Sequence, residues 1–185
     1  MHFDPPQPGE IFFVTSVTYR RRRFFVRPDR AVHLGAVIHF ACRLKGFRVI
    51  LYAILPDHFH LLVQRLPVST APRRLESRRG GRPDSESETL STRRRRSSRR
   101  RSLFTIGQLM QSIKGNYSYQ LPRGTFWKKS YHGRSIYSDL YYRRILRYVR
   151  FNAVKHGLPA AHQQPPFIWP ADALRDEKSA ETTGG

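Results

Sequence analysis

His58 and His60 stand one residue apart in the run Ile54-Leu55-Pro56-Asp57-His58-Phe59-His60-Leu61-Leu62-Val63. Strand side chains alternate faces, so an i, i+2 pair in an apolar run projects both imidazoles from one side of a sheet, about 7 Å apart at the backbone. That separation suits a shared metal ion, for which neutral imidazole is a common ligand. Phe59, Leu61 and Val63 anchor the strand's other face in a core. Two ligands do not close a site, so the pair points to an open, reactive metal centre that takes a third group from elsewhere.

Tyr148 and Asn152 offer that group and a nucleophile at one spacing. They are i and i+4, hence on one helical face about 6 Å apart. An amide oxygen is an acceptable metal ligand, and a phenol is a known covalent nucleophile. With an ordinary pKa near 10, only about one tyrosine in a thousand is phenolate at pH 7, so a nearby cation and positioning have to do much of the work. A metal ion that polarises a phosphate oxygen adds to this. Each residue also has a plainer reading: the histidines as half-buried strand side chains, Tyr148 as a core ring, Asn152 as a helix-end residue. Spacing to Asn152 selects Tyr148 over Tyr141 or Tyr142, while His132 and His156 read as phosphate or surface contacts.

These groups need elements to hold them. Ile11 to Tyr19 reads as a strand running into the basic run Arg20, Arg21, Arg22 and Arg23. Apolar residues recur at helical spacing from Pro28-Asp29 to Leu44, with Gly46 as the stop. Phe47 to Leu55 predicts a second strand, joined through the tight Pro56-Asp57 connection to the histidine strand, His58 to Arg65. Ile106, Leu109, Met110, Ile113 and Tyr117 mark a helix from Thr105 that ends before Leu121-Pro122-Arg123-Gly124. Phe126 to His132 predicts a short strand or extended segment, and a last helix starts at Ser138-Asp139 and runs to Asn152 or beyond, closed by Gly157-Leu158-Pro159.

The 185 residues make one domain by length, with a formal net charge of +21. That charge favours a polyanionic partner, nucleic acid ahead of an anionic membrane surface. No apolar stretch reaches the roughly 20 residues that span a bilayer, and no signal-like start is visible, so an intracellular protein is expected. The one cysteine, Cys42, excludes an internal disulfide and a multi-Cys zinc site and is expected in the core. Residues 67–102 break the pattern. Twelve arginines lie between Arg73 and Arg101, with many serines and almost nothing apolar, which predicts a disordered insert, either solvated or contacting nucleic acid.

The histidine run, with Tyr148-Val149-Arg150-Phe151-Asn152-Ala153-Val154-Lys155-His156-Gly157-Leu158 about ninety residues on, resembles the REP-associated tyrosine transposases. These are relatives of the single-tyrosine HUH transposases of small bacterial insertion sequences. The family pattern has His-hydrophobic-His on a central strand and a late Tyr-Ile-x-x-Asn-Pro-Val-Lys-x-Gly type motif. Ala153 stands where the pattern has proline, which removes no ligand, and the arginine-rich insert is longer than the family's linker.

The resemblance covers most of residues 10 to 170. It implies an α+β ferredoxin-like α/β sandwich, with an antiparallel sheet and helices on one face, formed as a single HUH transposase-like domain by residues 8–66 and 103–172. The disordered insert of 67–102 interrupts it and a disordered tail of 173–185 follows. His58 and His60 then bind the metal with Asn152 as third ligand, and Tyr148 attacks the backbone of single-stranded DNA at hairpin-forming repeats, giving a 5′-phosphotyrosine and a free 3′-hydroxyl. Mg2+ or Mn2+ is the implied cofactor, although two imidazoles and an amide suit manganese or zinc at least as well as magnesium. Arg20 to Arg23, Lys128, Lys129 and Arg134 are expected to track phosphates, with Trp127, Tyr131 or Phe126 stacking on unpaired bases. A monomer or homodimer in the bacterial cytoplasm, associated with the nucleoid, is implied. The main rival is a catalytically inactive nucleic-acid-binding protein derived from such a transposase. A water-using hydrolase is disfavoured by the absence of a His-Glu-x-x-His or paired-carboxylate motif.

Overall fold

Alternation sets the first strand. In β1 (Ile11–Val17), Phe12, Val14 and Ser16 are buried on one face while Ile11, Phe13, Thr15 and Val17 are half-buried on the other. The computed structural model describes residues 9–67, 104–121 and 125–170; the rest of the expected insert, 68–102, and the expected tail lie outside them. A 3-10 turn over Tyr19–Arg21 leads toward α1 (Pro28–Lys45), which has Pro28 at its start and Asp29 in its first turn. Gly46 ends it in the left-handed conformation (φ 73°, ψ 37°), its N–H closing on the carbonyls of Arg43 and Cys42. β2 (Phe47–Leu55) and β3 (His58–Arg65) form the expected hairpin, with Leu55 opposite His58.

α2 (Ile106–Tyr119) opens on a capping box between Thr105 and Gln108. After it come β4 (His132–Ile136), α3 (Asp139–Arg150), the four-residue α4 (Asn152–Lys155) and β5 (Ile168–Trp169). The Ser138 hydroxyl accepts the Tyr141 N–H at the start of α3, as an N-cap does. All five strands pair antiparallel in the order β4-β1-β3-β2-β5. Without β5 this is the β-α-β-β-α-β arrangement of a ferredoxin-like fold, so the α+β class and the antiparallel sheet agree with the sequence reading.

The helices do not keep to one face. α1 and α2 cover one side, where Leu34, Ile38, Leu109 and Ile113 pack with Val14, Phe59, Leu61 and Val63. On the other side Ile145 and Val149 of α3 pack with Leu51, Ala53, Leu55 and Leu62. The second layer exists because the sheet's other face is apolar too, and α3 carries a stripe able to cover it. β1 ends at Val17, two residues before the expected Tyr19. The strand expected over Phe126 to His132 is only a bridge between Trp127 and Thr18, with β4 beginning at His132. The last helix breaks at Phe151 (φ −97°, ψ 10°) instead of running through Asn152.

Cys42 is 1 % exposed, and burial pushes its thiol up to about 12. The folded chain is therefore expected to leave a thiol reagent such as DTNB unreacted at pH 8, with one thiol per chain released only on unfolding in urea. Rapid reaction of the native protein would show that α1 does not cover it. Among the described residues no helix is long and apolar enough to cross a membrane.

Candidate active site

Register gathers the chemistry on one face. Thr15 lies opposite His60 on β3 and opposite His132 on β4, while Ala53 of β2 lies on His60's other side. Opposed residues of antiparallel strands share a face, so His132, Thr15, His60 and Ala53 form one row across four strands. His58, between Val17 and Leu55, heads the next row. α3 crosses this face. The Tyr148 ring stands edge-on to Phe13 with centroids 6.1 Å apart, and 5.2 Å from the His60 ring. His58, His60 and Tyr148 line one cavity of about 610 Å³, together with His132, His156, Arg20, Arg21 and Lys128.

His60 is 4 % exposed. Its Nδ1 and the Thr15 hydroxyl share a hydrogen bond of 2.7 Å, while its Nε2 is buried with no partner among the described residues. Burial, with the neighbouring His58 and His156, pushes its pKa down to about 3. The ring is therefore neutral near pH 7, and the tautomer that donates from Nδ1 to Thr15 leaves a lone pair on Nε2. Such an orphaned nitrogen costs about 1–3 kcal/mol, which coordination would offset.

His58 is oriented in the same way, its Nδ1 lying 2.5 Å from Asp57 Oδ1. Burial lowers the His58 pKa against the pull of Asp57. For Asp57, burial works to raise the carboxyl, and the bonds from His58 and Arg21 outweigh it and hold it below its usual range. A carboxylate behind a histidine is the outer-shell pattern of metal sites. Among the described residues no three His, Cys, Asp or Glu side chains are grouped closely enough to hold a metal, although His156 lines the same cavity with its ring centroid 6.2 Å from that of His58.

Asn152 fits the place of a third ligand in part. It is fully buried, one turn past Tyr148, and both of its amide atoms lack a partner among the described residues. It does not line the cavity shared by the histidines and Tyr148. The histidine pair, with Nε2 of His60 unpartnered among the described residues and both Nδ1 atoms held, suits a divalent cation; Asn152 is the buried amide four residues on from Tyr148.

The basic residues are held at the same cavity by their backbone. Arg20 and Arg21 take left-handed φ angles of 54° and 51°, a conformation that costs a non-glycine residue about 1–2 kcal/mol. Thr18 compensates, its hydroxyl donating to the carbonyls of Arg22 and Asp57. Across the cavity, the Lys114 ammonium donates to the carbonyls of Lys128, Lys129 and Ser130 at 2.5, 3.1 and 3.4 Å, fixing the segment that carries Lys128 and Lys129. Arg22, Arg23, Lys129 and Arg134 are exposed, and Arg134 shares the histidine face through its pairing with Phe13.

Trp127 departs from the expected role. It is 6 % exposed, its indole N–H donates to the Lys114 carbonyl, and Phe25, Phe59 and Tyr117 surround its ring. It is a core residue; the apolar surroundings outweigh the adjacent lysines that suggest exposure in the sequence. Thr15, Asp57, Tyr19 and Lys114 were not singled out by sequence. Asp57, next to His58, carried a visible signal; Thr15 carried none, because its role depends on strand register.

No family model matches the sequence, and no curated protein matches it. Among solved structures, that of a REP-associated tyrosine transposase bound to a REP hairpin superposes with a TM-score of 0.58 at 16 % identity, covering 91 % of this chain and 80 % of that one. A candidate transposase from Deinococcus radiodurans aligns with a TM-score of 0.46 at 15 % identity, over 80 % of this chain and 95 % of the other. The fold of this chain is thus that of the tyrosine transposase in the first of these structures.

Proposed function

We propose that the chain is a metal-dependent single-stranded DNA transesterase that cuts and rejoins strands at hairpin-forming repeats through Tyr148. The observation that carries this reading is the meeting of three groups in one cavity: two oriented histidines, one with a buried and unpartnered Nε2, and the Tyr148 ring 5.2 Å from it. The likeness of fold to a transposase bound to a REP hairpin supports it.

His58 and His60, with Asn152 as the third ligand, would hold Mg2+ or Mn2+. The bound cation would polarise a non-bridging phosphate oxygen and stabilise charge at phosphorus. The Tyr148 Oη attacks the phosphorus, the bond from phosphorus to the 3′-oxygen breaks, and that oxygen leaves with a proton as a 3′-hydroxyl. The phenolic proton is lost as the 5′-phosphotyrosine forms, so protons balance. No water enters, and a second 3′-hydroxyl reverses the attack to join strands. Arg20, Arg21 and Lys128 supply positive charge along the cavity, where a phosphate backbone would lie.

An inactive nucleic-acid-binding descendant is the rival, and the absence of Asn152 from the cavity lining is the observation that favours it. A labelled hairpin-bearing single strand incubated with the intact chain separates the two. Cleavage that needs Mn2+ or Mg2+ and leaves label on the protein in a denaturing gel is expected. Tight binding without cleavage under any divalent metal would select the rival.

A further inference from the structure

Of the rings that the sequence offers for base stacking, Trp127 is withdrawn into the core and the other two are partly covered. Trp127 is in the core, Phe126 packs among Phe24, Phe25 and Tyr117, and Tyr131 is half-buried against Gly133. A single-stranded partner still needs an aromatic surface, since stacking on a ring is the sequence-tolerant way to hold an unpaired base. The cavity contains two tyrosines, Tyr148 and Tyr19, and Tyr19 is 37 % exposed.

The backbone that carries Tyr19 is fixed on both sides of it. Its N–H donates to the Phe126 carbonyl at 2.7 Å, the buried Thr18 before it is bonded to Asp57 and Arg22, and Arg20 after it is in the left-handed region. A backbone so constrained does not have to reorder when a ligand settles on the ring. The Arg20 guanidinium lies 5.3 Å from the ring centroid, adding a planar cation that both stacks and attracts phosphate. Strain held at this turn is accounted for if the turn exists to present Tyr19 and Arg20 to the cavity.

We propose that Tyr19 is the stacking platform for an unpaired nucleobase next to the phosphate that Tyr148 attacks, with Arg20 and Lys128 meeting the flanking phosphates. The inference rests on the single-strand reading above. The ligand class is a base with a free face, present in a single strand and absent from the interior of a duplex.

The test uses the full chain carrying Tyr148→Phe, so that no strand is cut, and a stem-loop oligonucleotide with an unpaired flank. 2-Aminopurine is placed at successive flank positions, and affinity is read by anisotropy across a salt series. Quenching at one position is expected, and it is read without any change at Tyr19. Tyr19→Leu is expected to weaken binding about tenfold and to abolish that quenching, with the salt slope unchanged because no phosphate contact is removed. Tyr19→Phe and Tyr19→Trp are expected to retain both, which separates loss of the ring from disturbance of the turn. Binding and quenching that persist in Tyr19→Leu, or no quenched position at all, overturn this inference alone. A parent chain that binds no single strand overturns the DNA reading as well.

Discussion

Tyr148→Phe is expected to remove the covalent protein–DNA adduct and to lower strand cleavage by at least about a thousandfold, while binding of the uncut strand is unchanged. Phenylalanine keeps the ring that stands against Phe13 and His60 and deletes only the hydroxyl oxygen. At 38 % exposure the position tolerates this within about 0.5 kcal/mol of stability. A rate loss therefore reports chemistry and not folding. Denaturing gels with 5′- and 3′-labelled strands check it. Cleavage that survives the change would assign the nucleophile to water or to another residue.

The second large effect separates function from stability at His60. The parent protein without metal carries at His60 a buried nitrogen that no hydrogen bond from the described residues satisfies. His60→Leu removes that nitrogen and fills similar space, so in chelator-containing buffer the variant is expected to be about 1 kcal/mol more stable than the parent, roughly 3 °C in melting temperature. Thr15 loses its partner but is only half-buried and gains water. Adding Mn2+ reverses the order. A cation at about 100 times its dissociation constant stabilises the folded parent by about 2.7 kcal/mol, and the variant, having lost a ligand, by far less. Cleavage by His60→Leu is expected to be undetectable. Scanning calorimetry with and without Mn2+ reads both halves. A variant less stable than the parent in chelator, with neither protein responding to metal, would make His60 a packing residue.

Stability and activity moving in opposite directions is the mark of a site in which local rules are broken for function. Two more features near the cavity break local rules: a fully buried Asn152 whose amide atoms have no hydrogen-bond partner among the described residues, and two consecutive arginines in left-handed backbone. All of them lie on, or adjoin, the elements that carry the histidines and Tyr148.

Much of this was legible in the residues, for identifiable reasons. Period two placed His58 and His60 on one strand face, and the pairing of Pro56-Asp57 with flanking apolar runs gave the hairpin. Gly46, Thr105 and Ser138 announced helix ends because capping is local chemistry. β4 was not legible. It is an edge strand whose His132, Gly133 and Arg134 are exposed, so it has no apolar alternation to read. The burial of Trp127 was hidden by Lys128 and Lys129, and the Thr15–His60 contact depends on a register between strands more than forty residues apart. The break at Phe151 left no trace in the Tyr148–Asn152 spacing, although it bears on where the Asn152 amide points.

Whether Tyr148 acts at the histidine face is measured most directly by the site of the covalent bond. The adduct formed with a hairpin-bearing strand and Mn2+ is digested with nuclease and protease, and the peptide that keeps the nucleotide phosphate is sequenced by mass spectrometry. The phosphate is expected on Tyr148 alone. A phosphate on Tyr19, Tyr131, Tyr141 or Tyr142, or no adduct under conditions in which the strand is cut, would contradict it.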